Sequence, residues 1–108
     1  MTLDELEFLL SNFDETKRFI EDGYYRIRPS DVDEYELAFL VADACGTTAI
    51  NPQITLKVEG ERITPRLLID LATIPTKYLH YTSETSAELE TALSQLVAKF
   101  YRASQKLV

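Results

Sequence analysis

Apolar residues recur at helical spacing most clearly near the C-terminal end of the chain. Their spacing of three or four residues predicts a helix over about 86–107, with one stripe for burial. Thr85 and Glu88 form the T-x-x-E pattern of a capping box. Acids precede bases along the segment, as the helix dipole favours. The stripe consists of Leu89, Leu93, Leu96, Val97, Phe100 and Leu107.

The N-terminal segment repeats this pattern. Thr2 begins a second T-x-x-E motif, and the apolar positions after it predict an amphipathic helix over about 3–22, in one or two pieces. Gly23 is a natural end for this helix. Phe8 and Phe19 lie off its apolar stripe, so we expect them to contact a second neighbour or to form an exposed contact surface.

The segment after Ser30 is apolar on nearly every side. This pattern is typical of a buried helix, and a buried strand is the alternative. The alanines and the acidic residues at its start favour the helix. We therefore predict a second helix over about 31–45, which ends before Gly46.

Alternation of polar and apolar residues predicts the strands. Residues 24–28 form a short strand, and residues 53–58 form the first arm of a hairpin that turns at 59–60. Residues 77–81 are typical of an edge strand. The segment 66–73 is interpreted as a short helix, with a strand nearly as well supported by its apolar run.

Together these elements predict a single α+β domain over residues 1–108. It has three main helices, at about 3–22, 31–45 and 86–107, and a small, mainly antiparallel sheet. An all-α domain with a β-hairpin is the alternative. A chain of 108 residues is long enough to bury a core without disulfides or metals.

Charge is distributed unevenly along the chain. Residues 1–43 hold twelve acids and four bases, a net charge of −8, whereas residues 44–108 have a net charge of +1. The acidic half disfavours binding to nucleic acid or to an anionic membrane, so we expect neither. It is compatible with a protein partner that has a basic or mixed surface. The apolar runs are too short to predict a membrane span.

The single cysteine, Cys45, and the single histidine, His80, limit the available chemistry. One cysteine excludes an intramolecular disulfide, and the acids near the N-terminus are not typical of a secretion signal, so we predict a cytoplasmic protein. Cys45 is predicted at the end of an apolar helix, where structural cysteines are common. His80 is predicted on a strand as a partly exposed polar residue. A Cys–His catalytic pair is therefore disfavoured.

Motifs for metals and cofactors are also weak. One cysteine and one histidine are too few for a zinc site. Three isolated glycines exclude a glycine-rich phosphate loop. The carboxylates of Asp31, Asp33, Glu34 and Glu36 lie close enough in sequence for a hard cation, but acids at a helix start explain them better. We therefore predict no catalytic, cofactor-binding or metal-binding residue.

These observations favour a small acidic protein-binding module, such as an adaptor, a regulatory subunit, an inhibitor or an assembly chaperone. It would act through a protein–protein interface on the first helix and the turn after it. The candidate interface residues are Asp4, Glu5, Glu7, Phe8, Asp14, Glu15, Phe19, Tyr24 and Tyr25.

Three other functions compete with this one. A small-ligand binder or enzyme would need a pocket near His80. An acidic DNA-mimic inhibitor would need the acids of residues 1–43 on one surface. A homo-oligomer would pair the C-terminal helix with its copy.

The aromatic and basic residues of 24–28 could stack nucleic-acid bases, but the surrounding acids oppose this.

Overall fold

An antiparallel sheet is the largest element of the fold, as shown by a computed structural model that describes residues 1–107. Within this range the chain forms two helices and six strands, which pair in chain order, each antiparallel to the next. All five strand connections are therefore between sheet neighbours. The elements are α1 (Leu3–Asn12), β1 (Arg18–Ile20), β2 (Gly23–Asp31), β3 (Glu34–Ala42), β4 (Thr48–Glu59), β5 (Arg62–Asp70), β6 (Lys77–His80) and α2 (Ser86–Ser104).

Both helices pack on the same face of the sheet. The apolar stripes of α1 and α2 meet the inward-facing residues of the central strands in one hydrophobic core. An aromatic group lies at its centre, in which the Phe100 ring contacts Phe13 and Tyr25 edge-on. The molecule measures 37 × 36 × 22 Å, and its shortest dimension accommodates one helical layer and one sheet layer. The other face of the sheet therefore carries no helix from residues 1–107.

The prediction of a helix over 31–45 is wrong, because most of this segment is the central strand β3. Its side chains alternate between the two faces, and both sets are covered: Leu37 and Phe39 by the helical layer, Ala38 and Leu40 by neighbouring side chains of the other face. A strand buried on both faces loses its polar–apolar alternation and resembles a buried helix. The acids at its start belong to the β2–β3 turn, where Asp33 has a positive φ of 57°.

The first helix was predicted too long. α1 ends at Asn12, whose side-chain amide donates to the Phe8 carbonyl, and the backbone of Phe13 is extended. Apolar residues continue to Ile20, but Ile20 enters the core from β1 instead of from the helix. Helical spacing in sequence thus continued by coincidence across a loop and into a strand.

Smaller corrections concern the remaining strands. The segment 66–73 contains the end of β5 and the loop after it, so its interpretation as a short helix is wrong. The predicted hairpin is confirmed, with its turn at Gly60–Glu61, one residue later than expected. The predicted edge strand is confirmed as β6, at the outside of the sheet. The class is α+β, but strands hold 43% of the residues and helices 27%, which excludes both versions of the predicted architecture.

The two predicted capping boxes have different outcomes. At α1, Glu5 N donates to Thr2 Oγ1 at 3.1 Å and Thr2 N donates to Glu5 Oε1 at 2.8 Å, so the box is complete. At α2, Thr85 makes no capping hydrogen bond to the helix. Its hydroxyl donates to the carbonyl of His80 and ties the helix start to β6. No helix within residues 1–107 combines the length and apolar character that crossing a membrane requires.

Candidate functional site

The structure divides the predicted interface residues among three places. Phe8 lies on the outer side of α1, 40% exposed, with exposed acids on the same helix and on the loop after it. Phe19 and Tyr24 lie on the opposite face of the molecule, at the edge of the sheet, where their rings meet edge-on at 5.3 Å. Tyr25 is 3% exposed in the core and offers no surface. The exposed acids are Asp4, Glu5, Glu7, Asp14 and Glu15.

A groove between α1 and α2 lies beside the acids of α1. Its volume is about 580 Å³. Tyr101, one of its lining residues, packs against Phe8 with ring centroids 5.2 Å apart, and both rings remain partly exposed. We call this surface the helical groove. Its lining residues are Met1, Glu5, Ser94, Val97, Ala98, Tyr101, Arg102 and Gln105.

Ion pairs neutralise the basic residues at the end of α2. Lys99 Nζ lies 2.7 Å from Asp22 Oδ2 in the β1–β2 turn. Arg102 and Lys106 lie 3.3 and 3.8 Å from the carboxylate of Glu21 in the same turn. This cluster holds the edge of the sheet against α2. Within residues 1–107, the carboxylates of α1 are then the charged groups beside the groove that have no ion-pair partner.

Beneath the cluster, the Tyr25 hydroxyl donates to Asp22 Oδ1 at 3.1 Å. Burial raises the pKa of the Tyr25 hydroxyl, with the Asp22 carboxylate adding to the effect, so the hydroxyl stays protonated as a donor. The hydrogen bond from Lys99 lowers the pKa of Asp22, burial opposes this effect, and the weaker contribution of the Tyr25 hydrogen bond lowers the pKa further.

We expect the Asp22–Lys99 pair to make stability depend on pH. A carboxylate with a lowered folded-state pKa contributes stability above its unfolded value of about 4 and loses it as the pH falls through the folded value. Asp22→Asn should therefore lower the free energy of unfolding at neutral pH, by at most about 1 kcal/mol because the pair is exposed. Urea unfolding at about pH 7 and about pH 3 measures this difference, which should shrink at the lower pH.

The matched control is Asp4→Asn, which removes a carboxylate that forms no ion pair among the described residues. If Asp22→Asn lowered the free energy of unfolding equally at both pH values, the carboxylate charge would contribute nothing to stability.

The second face of the sheet lies outside the helical layer, and we call it the uncovered sheet face. Strand register assigns to it every second residue of the neighbouring strands. Its side chains combine aromatic, basic and apolar groups. They are Phe19, Tyr24, Arg26, Arg28, Glu34, Glu36, Ala38, Leu40, Ala42, Thr48, Ile50, Gln53, Thr55, Lys57, Glu59, Arg62, Thr64, Leu67, Ile69, Tyr78 and His80.

Arg26 is at the centre of the basic part of this face. Its Nη2 donates to Gln53 Oε1 at 2.9 Å, while its Nε is buried without a hydrogen-bond partner. Burial lowers the pKa of Arg26, and the neighbouring charge of Arg28 lowers it further. Arg28 donates to Glu36 through Nε. Lys17 places its Nζ 5.3 Å from the centre of the Tyr24 ring and 2.9 Å from Thr48 Oγ1.

Sequence reasoning missed Lys17 and Lys57 as contributors to these surfaces, and it missed the contact that Tyr101 makes with Phe8. Lys57 was a polar position in the predicted hairpin, so the alternation already placed it opposite the core. Tyr101 lay outside the apolar stripe of α2, as Phe8 did on the first helix, but sequence spacing cannot show that the two rings meet. Lys17 was assigned to a helix that does not extend that far, so no local pattern pointed to Tyr24.

The remaining candidate residues do not form a site. Cys45 is exposed in the β3–β4 loop, not at the end of an apolar helix, and its N–H donates to Asp43. His80 is exposed on β6. The acids between 31 and 36 lie at the β2–β3 turn and the start of β3, not at a helix start. Across residues 1–107, no group of histidine, cysteine and acidic side chains has an arrangement suited to a metal ion.

Comparison with known proteins identifies no relative from which a function can be inferred. No protein-family model matches the chain, and no curated protein or solved structure matches it significantly.

Proposed function

We propose that this protein is a small protein-binding module that contacts a partner through the helical groove and the acidic outer side of α1. The observation that supports this most strongly is the exposed pair of Phe8 and Tyr101 at the groove. Aromatic side chains at a concave surface are typical anchors of protein interfaces, because they bury a large area at a low cost in conformational entropy.

The charge around the groove indicates the kind of partner. Asp4, Glu5 and Glu7 are exposed on α1 and form no ion pair with other residues of 1–107. Arg102, the basic residue of the groove lining, is engaged with Glu21. A partner segment with basic residues and at least one apolar side chain would complement both features. Adaptor, regulatory, inhibitory and chaperone roles all remain compatible with such a contact.

The competing functions have weaker support. His80 is exposed on the outermost strand and lines neither the helical groove nor three further cavities of residues 1–107, so these cavities give no support to a ligand site around it. The acids of residues 1–43 lie on α1, in the following loop and at both ends of the sheet, whereas a DNA mimic needs them on one surface. The apolar stripe of α2 is buried in the core, so a homo-oligomer would have to use the opposite side of α2.

The proposal is tested by affinity capture from an extract of the native cells at low and high salt, with mass spectrometry. We expect a stoichiometric partner that dissociates as the salt concentration rises, because exposed charges are screened. Asp4→Lys with Glu7→Lys should abolish capture at moderate salt. Phe8→Ala should weaken it at least tenfold, on the order of the loss at an aromatic anchor. Glu5 is left intact because it belongs to the capping box.

The charge-matched control is Glu59→Lys with Glu84→Lys, which changes two exposed acids that do not line the groove. It should retain the partner. Equal loss in both double variants would indicate a general charge effect. Unchanged capture by the Asp4/Glu7 and Phe8 variants, or the absence of any stoichiometric partner, would contradict the proposed interface.

A further inference from the structure

We propose that the uncovered sheet face is a second binding surface, which takes an extended acidic segment of a partner protein along β2. This surface lies on the opposite side of the molecule from the helical groove and has the opposite charge. The proposal does not rest on the contact proposed for the helical layer, so each can fail while the other holds.

The first argument is the charge of this face within an acidic protein. The chain as a whole carries a net charge of −7. Four basic side chains, Lys17, Arg26, Arg28 and Lys57, nevertheless lie on or beside the central part of the uncovered sheet face, against two acids, Glu34 opposite Lys57 and Glu36 opposite Arg28. Within residues 1–107, Arg28 pairs with Glu36, while the other three have no carboxylate partner. A positive surface therefore remains on this side, and like charges oppose pairing it with a second copy.

The unused donors of the two arginines provide the second argument. Arg26 makes one hydrogen bond, from Nη2 to Gln53, and its Nε is buried, so a ligand can reach only its terminal nitrogens. Arg28 uses Nε for Glu36 and is 44% exposed, so its terminal nitrogens can reach a second acceptor. A guanidinium offers five donors in a planar fork that suits a carboxylate. Both residues can therefore donate hydrogen bonds to a carboxylate without breaking an existing ion pair.

Spacing indicates that the occupant is extended. Arg26 and Arg28 are two residues apart on β2, which separates them by about 6.7 Å along the strand. Tyr24, with Lys17 above its ring, precedes Arg26 by the same interval. An extended peptide repeats its side chains on one side at the same interval of two residues. Three acids at alternate positions would thus match Lys17, Arg26 and Arg28 in order.

The ends of the sheet limit the length of the acidic segment. At one end lie acids of the β2–β3 and β4–β5 turns, and at the other lie acids of the β1–β2 and β3–β4 turns. A long polyanion such as single-stranded nucleic acid would have to pass these acids, which oppose it. A protein segment can place its acids only where the basic residues lie. The acids at the two ends that form no ion pair among residues 1–107 are Asp31, Asp33, Glu59 and Glu61 at the first end and Asp43 at the second.

The aromatic and apolar side chains around this row complete the match to a protein partner. Phe19 is 60% exposed and its ring meets that of Tyr24 at the start of the row. The four long strands β2–β5 span three strand spacings, about 14 Å, by about 30 Å along the strands. An extended segment along β2 would cover part of this area, as in a weak or transient protein contact.

The test uses a labelled peptide of alternating glutamate and threonine, titrated into the isotope-labelled protein and followed by NMR and by fluorescence anisotropy. We expect amide shifts centred on residues 24–28 and binding that weakens with salt. Arg26→Gln should weaken binding about tenfold, as for loss of a charged hydrogen-bonding group. Arg26 is half-buried, so replacing it also changes the packing of the sheet. Lys17→Gln, in an exposed loop, is therefore measured as well and should also weaken binding. Peptides with more than three alternating acids should bind only slightly more tightly than a peptide with three.

Three controls decide the outcome. Lys77→Gln removes one positive charge that pairs with Glu88 of α2 at the far edge of the sheet, and it should leave peptide affinity unchanged. A peptide of alternating glutamine and threonine should not bind. An oligothymidine of similar length should bind more weakly than the acidic peptide. The proposal is overturned if the acidic peptide does not bind, if its shifts map to α1 and α2, if the arginine and lysine variants have no effect, or if oligothymidine binds more tightly.

Discussion

Replacing Phe100 with alanine is expected to lower the free energy of unfolding by about 3–5 kcal/mol. Phe100 is fully buried on α2, and its ring centroid lies 5.0 Å from that of Phe13 and 5.1 Å from that of Tyr25. The change removes both edge-on contacts and leaves a cavity where the helix meets the sheet. Domains of this size are commonly stable by only about 5–15 kcal/mol, so the midpoint of urea unfolding should fall markedly.

The neighbouring residue provides the control for Phe100. Tyr101 is 48% exposed on the same helix and contacts only the partly exposed ring of Phe8 among the described aromatic rings. Tyr101→Ala should cost less than about 1.5 kcal/mol, the upper range for an aromatic pair. Phe100→Leu, which refills most of the volume, should fall between the two. A loss at Phe100 no larger than the loss at Tyr101 would contradict the central position given to the aromatic group.

Gly23→Ala is expected to destabilise the protein by about 1–3 kcal/mol through overpacking. A Cβ atom at Gly23 would lie 2.4 Å from two carbons of the Phe39 ring and 2.8 Å from the carbonyl oxygen of Leu40. The ring has little room to retreat, because Tyr25 packs against it at 5.2 Å and Lys99 Nζ lies 4.2 Å from its centre. Glycine at this position is thus required by close packing of β2 against a core side chain.

A double-mutant cycle separates packing from backbone effects. In a Phe39→Leu background the added methyl group meets a smaller side chain, so Gly23→Ala should cost less by at least about 0.5 kcal/mol. Gly60 is the contrasting position, since it has a φ of 65° with open space around it. At Gly60, asparagine should destabilise the protein less than alanine does, because asparagine adopts a positive φ more readily. At Gly23, asparagine should destabilise the protein more than alanine does, because its side chain is larger. An equal cost of Gly23→Ala in both backgrounds would exclude the clash with Phe39.

The two candidate surfaces differ in how far sequence anticipated them. Phe8 and the acids of α1 stood out because they lay off an apolar helical stripe, and the structure places them on the exposed side of a helix. Tyr24 and Arg26 were recognised as an aromatic and basic group on a strand, but the overall acidity of the chain argued against a basic surface. Net charge is a property of the whole chain and does not report how charges segregate between two faces of a sheet.

Local patterns determined the elements whose stabilising contacts are close in sequence. The stripe of α2 and the complete capping box at Thr2 could be inferred because helix contacts repeat within four residues. The hairpin of β4 and β5 was inferred from its alternation and its turn for the same reason. These features follow from the sequence by itself.

Tertiary structure decided the rest, because the contacts involved join residues far apart in the chain. The sequence of β3 fits both a buried helix and a buried strand and locally favours the helix, but pairing with β2 and β4 selected the strand. The hydroxyl of Thr85 fits a cap, but the carbonyl of His80 engaged it. Alternation showed that the strands have two faces, whereas only the packing of α1 and α2 determined which face became the core and which stayed uncovered.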